Sequence, residues 1–263
     1  MPVPAKFPVY SISKPFLAQA VLELGLDLSA PLGNYLPSLG ATYQNRRVGN
    51  LLNHTSGLDD YGPMTEYRSA VAAHEPAWSR EQLLELAERL PHANPGFQYS
   101  NIGYLLLRMA VENQTGLTYF GALAKLVFEP LGIQGFKEWE EENSLVPGYD
   151  PRWVYSGTFV STADALIPAL QKLVALRKQT AGLAAGLVNV PYANTGFDHP
   201  AYGLGFMFDS NPVTAAGHGG GGPGYQLMAL INPETGIADF EIATDGSLDQ
   251  AQAIGRLRAK LGV

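Results

Sequence analysis

The feature that most narrows the fold is a change of periodicity near Pro200. Between residues 15 and 195 the chain reads mostly as helix. Ser79-Arg80-Glu81-Gln82 has capping-box spacing and opens an amphipathic run to Leu90, stopped by Pro91. A short apolar run begins at Val48, another covers 102–113 and ends near Gly116, and a third covers 118–128. A fourth starts from the cap-spaced 161–164 and reaches about Lys178. After Pro200 the segments 202–208, 225–232 and 237–244 read as strands, separated by turn signals such as Asn232-Pro233-Glu234-Thr235-Gly236. Ser247 stands where a cap for a last helix, 248–261, belongs. Consecutive strands with short connections make an antiparallel sheet, and a trailing helix covers one face of it. The expected architecture is therefore α+β in a single domain, 1–263. A helical region of about 15–195 lies beside a sheet region drawn from 1–14 and 196–263. Residues 27–40 read as a Pro/Gly-punctuated connection, Pro95-Gly96 as a turn, and the aromatic, charged stretch 134–155 as a surface loop in which Trp139 and Trp153 pack at the surface or line a pocket mouth.

Composition limits the chemistry. With 46% hydrophobic and 16% charged residues there is ample material for a core. A net charge of −7 argues against nucleic acid and anionic membrane surfaces as partners. The absence of cysteine excludes disulfides, thiolate catalysis and cysteine-bound zinc. No apolar run reaches the ~18 residues a membrane helix needs, and the first ten residues lack the apolar core of a signal peptide. The sequence as given therefore reads as cytoplasmic. None of the five histidines is paired at helical ligand spacing, so no metal is expected, and no cofactor motif stands out. His54, beside Thr55-Ser56-Gly57, reads as a hydrogen-bonded histidine that holds a turn, and His74, His92 and His199 read as surface residues.

Three segments carry candidate chemistry. In Tyr10-Ser11-Ile12-Ser13-Lys14-Pro15-Phe16, Ser11 is placed to cap a helix running to Glu23, and Lys14 follows at i+3 on the same face. A serine beside an amine that can take its proton is a nucleophile, aided by the positive field of the helix start. In Tyr99-Ser100-Asn101 the phenol can relay a proton if cations depress its pKa, and the amide can position a substrate carbonyl or the lysine. In Gly217-His218-Gly219-Gly220-Gly221-Gly222-Pro223-Gly224, glycine lets an extended backbone approach a ligand closely, and free N–H groups at a strand edge can form an oxyanion hole. The formal Gly-x-Gly-x-x-Gly match there is not a dinucleotide site, because a strand-like run rather than a helix comes next, and no Gly-Lys-Ser/Thr is present for a P-loop.

The order and spacing of six segments, namely Ser11-x-x-Lys14, Leu51-Leu52-x-His54-Thr55-Ser56-Gly57-Leu58, Pro95-Gly96-x-x-Tyr99-Ser100-Asn101, Ser161-Thr162-Ala163-Asp164, Tyr202-Gly203-Leu204-Gly205 and His218-x-Gly220, resemble the penicillin-recognising serine hydrolases. The likeness is to the class C β-lactamase branch, with its DD-peptidases, D-aminopeptidases and family VIII carboxylesterases. It implies a β-lactamase/transpeptidase-like fold. It also implies an acyl-enzyme route with Ser11 as nucleophile, Lys14 as activating amine, Tyr99 as proton relay and Asn101 as positioning amide. The backbone N–H groups of Ser11 and Gly221 would form the oxyanion hole, and His218, Gly219 and Gly220 would flank the substrate. Either Lys14 or Tyr99 could be the base.

Two departures shape the expectation. His218 stands where β-lactamases and many DD-peptidases carry lysine, and a histidine is mostly neutral at pH 7. That favours small acyl esters over substrates with the penicillin carboxylate, leaving β-lactamase, DD-peptidase and D-aminopeptidase chemistry as alternatives. The family also implies a helix and two strands before the nucleophile, whereas only ten residues precede Ser11. The N-terminal strands are therefore expected to be missing, leaving an open edge at 237–244 and a route to homo-oligomers. A loosened sheet would also fit a non-catalytic binding protein on the same fold. The expected partner is a small ester or amide.

Overall fold

The computed structural model describes residues 3–91, 96–180 and 182–263. Its strands are β1 (Phe7–Pro8), β2 (Val160–Ser161), β3 (Val188–Asn189), β4 (Pro200–Gly203), β5 (Phe206–Asp209), β6 (Ala215–Gly222), β7 (Tyr225–Ile231) and β8 (Ala238–Ala243). Its helices are α1 (Lys14–Glu23), α2 (Ala41–Gln44), α3 (Val48–Leu52), α4 (Thr65–Ala72), α5 (Arg80–Ala87), α6 (Asn101–Thr115), α7 (Tyr119–Leu123), α8 (Ala163–Gln179) and α9 (Gln250–Leu261). Strands β3 to β8 form an antiparallel sheet in sequence order. The other pair, β1 with β2, makes its own two-stranded sheet in the register Phe7↔Ser161. The β1 segment thus sits beside the main sheet, with the Phe7 ring 5.7 Å from that of Phe240 on β8.

The alternation along β7 shows how the layers assemble. Met228 and Leu230 face α9, where they pack with Ala253, Ile254, Leu257 and Leu261. Leu227, Ala229 and Ile231 face the opposite way into the main core, which includes Leu166, Leu170 and Leu173 of α8 and the buried face of α1. Side chains alternate between sheet faces with a period of two, so one strand serves both layers. The sheet is therefore covered on both faces. The main core continues into the helical region through Leu51, Leu105, Leu106 and Phe128.

Several sequence expectations hold. The capping box at Ser79 and Gln82 forms, with Gln82 N 3.2 Å from Ser79 Oγ and Ser79 N 2.8 Å from Gln82 Oε1. Helix α6 ends at Gly116 in a left-handed conformation, φ 68°. The run 118–128 is helical, α7 continuing into a π-helical stretch, Ala124–Phe128.

Others are corrected. The segment 202–208 is two strands joined by a tight turn at Leu204 (φ 44°) and Gly205 (φ 92°). A Cβ on Gly205 would lie 2.8 Å from the Lys14 carbonyl and 2.9 Å from Ala18 Cβ, so this turn is seated on the start of α1. Arg177 of α8, fully buried, holds it from behind, bonding to the Leu204 carbonyl at 3.3 Å and to Gln19 of α1. The last helix is capped by Asp249, whose side chain accepts from Gln252 N at 2.9 Å, rather than by Ser247. Thr162, not Ser161, precedes α8, and Ser161 belongs to β2. Within 134–155, most of 134–148 is exposed, as expected of a surface loop, but Trp139 is 6% and Trp153 1% exposed, and 149–155 is largely threaded into the core. Trp153 is held by its indole N–H, which donates to the Glu75 carbonyl at 2.9 Å, and by ring contacts with Tyr67 and Trp78. Helix α4 has no counterpart among the sequence expectations, because Ala70 is its one buried residue and it carries little apolar stripe. His74 and His199 are exposed as expected, while His92 and Pro95 lie outside the described residues.

Candidate active site

Ser11 is not a helix cap. It lies within a 3-10 turn, Tyr10–Ser13, that runs directly into α1 at Lys14. In a three-residue turn the side chains at i and i+3 eclipse, which brings the amine over the hydroxyl more directly than an α-helix would. Lys14 Nζ is 2.9 Å from Ser11 Oγ. The turn is entered through Tyr10 in a left-handed conformation, φ 47°, unusual for a bulky residue. Bonds at both ends hold it, with Tyr10 N donating to Thr158 Oγ1 at 2.9 Å and its phenol to the Pro223 carbonyl at 2.6 Å.

The second segment reaches the same hydroxyl. Tyr99 OH is 3.0 Å from Ser11 Oγ, and Asn101 Oδ1 accepts from Lys14 Nζ at 2.8 Å. Ser100 caps α6, and that cap aims Tyr99 and Asn101 from the helix start. The local support comes from the 51–60 segment. Ser100 N donates to His54 Nδ1 at 3.1 Å, and the His54 ring lies against Tyr99 at 4.3 Å. His54 is thus a buried turn-holding histidine, as its neighbours suggest, kept neutral because burial pushes its pKa well down. Asp60 takes both Asn101 N (2.9 Å) and Asn101 Nδ2 (3.1 Å), which fixes the amide with its oxygen towards the lysine. Sequence reasoning does not single out Asp60, nor Ser156, whose hydroxyl is 3.4 Å from Lys14 Nζ. An acidic pair behind a Ser-Gly turn is too common a pattern to flag.

The third segment is a strand rather than a flexible loop. Strand β6 pairs with β7 along its length, from Ala216↔Ile231 to Gly222↔Tyr225. Its pairing with β5 ends at Met207↔Gly217, so 218–222 have an open side. The glycines there permit close approach. A Cβ on Gly220 would lie 2.4 Å from the Val9 carbonyl, and one on Gly222 would lie 2.4 Å from the Tyr10 ring. Gly221 differs, since a Cβ there would meet nothing within 4 Å. Ser11 and Gly221 line the same cavity of about 670 Å³ together with Tyr99, His218, Gly219 and Gly220.

Electrostatics separates the groups. Lys14 is fully buried, and burial pulls its amine down to about 7, with Asp60 opposing the shift in part. Burial pushes the Tyr99 phenol well above its ordinary range, the reverse of the depression expected from a nearby cation. His218 is brought down to about 3, first by burial and then by Lys14. Its Nδ1 is 2.5 Å from the Gly219 carbonyl, which can only accept, so Nδ1 carries the proton and Nε2 accepts from Tyr202 OH at 3.0 Å. The position is therefore neutral and internally satisfied. Among the described residues no group of His, Asp or Glu side chains could hold a metal ion, and no helix is long and apolar enough to cross a membrane.

A family model described as Beta-lactamase matches residues 4–244. The chain belongs to the beta-lactamase family. It is 33% identical over 135 residues to penicillin-binding protein 4* of Bacillus subtilis (strain 168), a match covering 48% of this chain and 29% of that protein. It is 30% identical over 136 residues to a beta-lactamase of Providencia stuartii, covering 49% and 33% respectively. The matched stretches thus span about a third of those relatives' lengths. A D-stereospecific amidohydrolase from Streptomyces sp. superposes with a TM-score of 0.74 at 26% identity, covering 90% of this chain and 81% of that one. The family fold expected from the sequence is the fold found.

Proposed function

We propose that this protein is a serine hydrolase that works through an acyl-enzyme on Ser11. The observation that carries the reading is the placement of Ser11 Oγ between Lys14 Nζ at 2.9 Å and Tyr99 OH at 3.0 Å, with the lysine amine at about 7. Neutral Lys14 takes the Ser11 proton as Oγ attacks the carbonyl carbon. The N–H groups of Ser11 and Gly221 receive the developing oxyanion. The intermediate collapses, and the proton that Lys14 took from Ser11 passes to the leaving oxygen or nitrogen, with the Tyr99 hydroxyl, 3.0 Å from Ser11 Oγ, as a relay that gives up one proton and regains another. Water then attacks the acyl carbonyl and frees the acid. Asn101, held by Asp60, keeps the lysine on target. His218 with Gly219 and Gly220 forms the substrate wall.

The substrate class we favour is a small acyl ester. In support, the site wall at His218 is neutral, and Phe97, Tyr202, Met207 and Ile254 give the cavity an apolar lining. Amide hydrolysis is the second reading, favoured by the likeness to the D-stereospecific amidohydrolase. We also propose a second copy of the chain as the partner for the open edge of the sheet.

A serine-directed phosphonate should label the wild-type protein and leave Ser11→Ala untouched; equal labelling of both would end the assignment. A panel of p-nitrophenyl butyrate, D-phenylalaninamide and nitrocefin separates the substrate classes. Ester turnover without nitrocefin cleavage is expected, and efficient nitrocefin turnover would overturn the argument from neutral His218.

A further inference from the structure

A second cavity, about 330 Å³, meets the larger one at Ser11 and Gly221, which line both. The candidate reacting hydroxyl therefore sits at a junction, with room on either side for the two halves of a substrate. The two sides differ in charge. The larger cavity has one charged lining residue, Asp249, and it is acidic. The smaller cavity also has one, Arg68 of α4, and it is basic. Its other walls are largely phenolic, including Tyr10, Tyr61, Tyr67 and Tyr149.

Arg68 has the features of a cation kept for a ligand. Its Nε donates to the Gly62 carbonyl at 3.0 Å, which orients the guanidinium plane. Among the described residues it forms no ion pair with a carboxylate. Asp60, two residues before the Gly62 that holds Arg68, is already engaged by the Asn101 backbone and amide. A guanidinium fixed through Nε leaves its two terminal nitrogens free to form the paired bonds that suit a carboxylate. The larger cavity offers an anion nothing comparable, because Lys14 is turned onto Ser11 and Asn101 and His218 is neutral.

We propose that the substrate straddles Ser11, with an apolar group in the larger cavity and a carboxylate bound by Arg68 in the smaller one. This rests on the reading of Ser11 as the acylated hydroxyl. It moves the anion-binding role from the position of His218, where the family resemblance would put a lysine, to the opposite side of the nucleophile. The substrate class is an ester or amide carrying a carboxylate on one side of the scissile bond and an aryl or alkyl group on the other.

The test uses two matched pairs, so that the carboxylate is offered on either side of the bond. One pair is monophenyl adipate and its primary amide. The other is the phenylacetylglycine ester of glycolic acid and that of glycolamide. In at least one pair the wild type should prefer the acid, with kcat/KM above that of the amide, and the preference should shrink as salt rises. Arg68 lies at an exposed mouth, so Arg68→Gln should cut that acid-to-amide ratio by about three- to tenfold, mostly through KM, while Arg68→Lys should keep part of it. A wild type with no preference for the acid in either pair, or a ratio unchanged in Arg68→Gln, overturns the proposal. Failure of the hydrolase reading looks different, since neither member of a pair is turned over and phosphonate does not label Ser11. In that event, calorimetric binding of phenylacetylglycine and its amide to the wild type and to Arg68→Gln decides the carboxylate site alone. Equal affinity of the acid for both proteins would rule it out.

Discussion

Lys14 is the residue whose state decides the chemistry, and loss of its proton favours both activity and stability, over two different pH windows. As a base it must be neutral. With the amine at about 7, kcat/KM for a neutral ester should rise about tenfold per pH unit below 7 and level off above it. A rate that still climbs above pH 9, with no inflection near 7, would transfer the role to Tyr99, whose phenol burial holds above its ordinary range. For stability, the folded value of about 7 lies below the ordinary 10.5 of the unfolded chain. Between those values the unfolded state binds more protons, so stability rises with pH across that window, and the cost of burial is fully present below 7. Lys14→Met should therefore be inactive yet more heat-stable than wild type at pH 6, with the gap in Tm narrowing by pH 9. A gap that does not change with pH would mean that the amine is not titrating where burial places it. The Ser11, Lys14, Tyr99 and Asn101 set was legible in the sequence, because it depends on short spacings and on an ordered series of motifs. The direction of the Tyr99 shift was not. The lysine that was expected to depress it is itself only weakly charged, and burial of the ring, which no local pattern reveals, raises it.

At the scale of elements, the glycine strand and the turn bearing Ser11 are one construction. Gly220 and Gly222 are the residues that allow β6 to lie on Val9 and Tyr10, whereas Gly221 faces open space. The two kinds of glycine should respond differently to a methyl group. Gly220→Ala would force the strand off the Val9 carbonyl, costing about 1–3 kcal/mol of stability and shifting Gly221 relative to Ser11. A displacement of that kind should lower kcat about 100-fold. Gly221→Ala should fold with a near-normal Tm, because nothing lies within 4 Å of its new atom. Thermal melts and ester turnover for both variants check this, and equal loss of Tm in the two would contradict it. The strand nature of the glycine run was readable from the β-like residues 225–231 directly after it. What divides 202–208 into a hairpin is the fit of Gly205 against α1, a contact between residues nearly two hundred positions apart. The same holds for 134–155, where burial of Trp153 is decided by Tyr67, Trp78 and Glu75 rather than by any periodicity of its own.

Across the whole molecule, the candidate site exists only where two layers meet. Ser11 and Lys14 come from the helical side, the glycines from the sheet, and α8 and α9 cover the sheet from both faces. The sheet itself ends at β8 in its strand order. The charged side chains of β8 do not guard that edge. Asp239 pairs with Lys260 and Glu241 with Arg256, which turns both towards α9. Ile237, just before the strand, is 52% exposed. An edge without proline, bulge or outward charge is a template for another strand, and an identical edge related by a two-fold axis is antiparallel to it. We therefore expect concentration-dependent self-association, seen as a rise in sedimentation coefficient with loading concentration. Ile237→Lys places a charge beside the edge at an exposed position, where the cost to folding should stay within about 0.5 kcal/mol, and it should shift the protein towards monomer. A wild type that sediments as a monomer at every concentration would show that the edge is left unpaired. Because Phe7 of β1 packs on Phe240 of β8, an association that orders this edge also steadies the segment leading to Tyr10 and Ser11. Specific activity should then rise with protein concentration in the wild type and stay flat in Ile237→Lys.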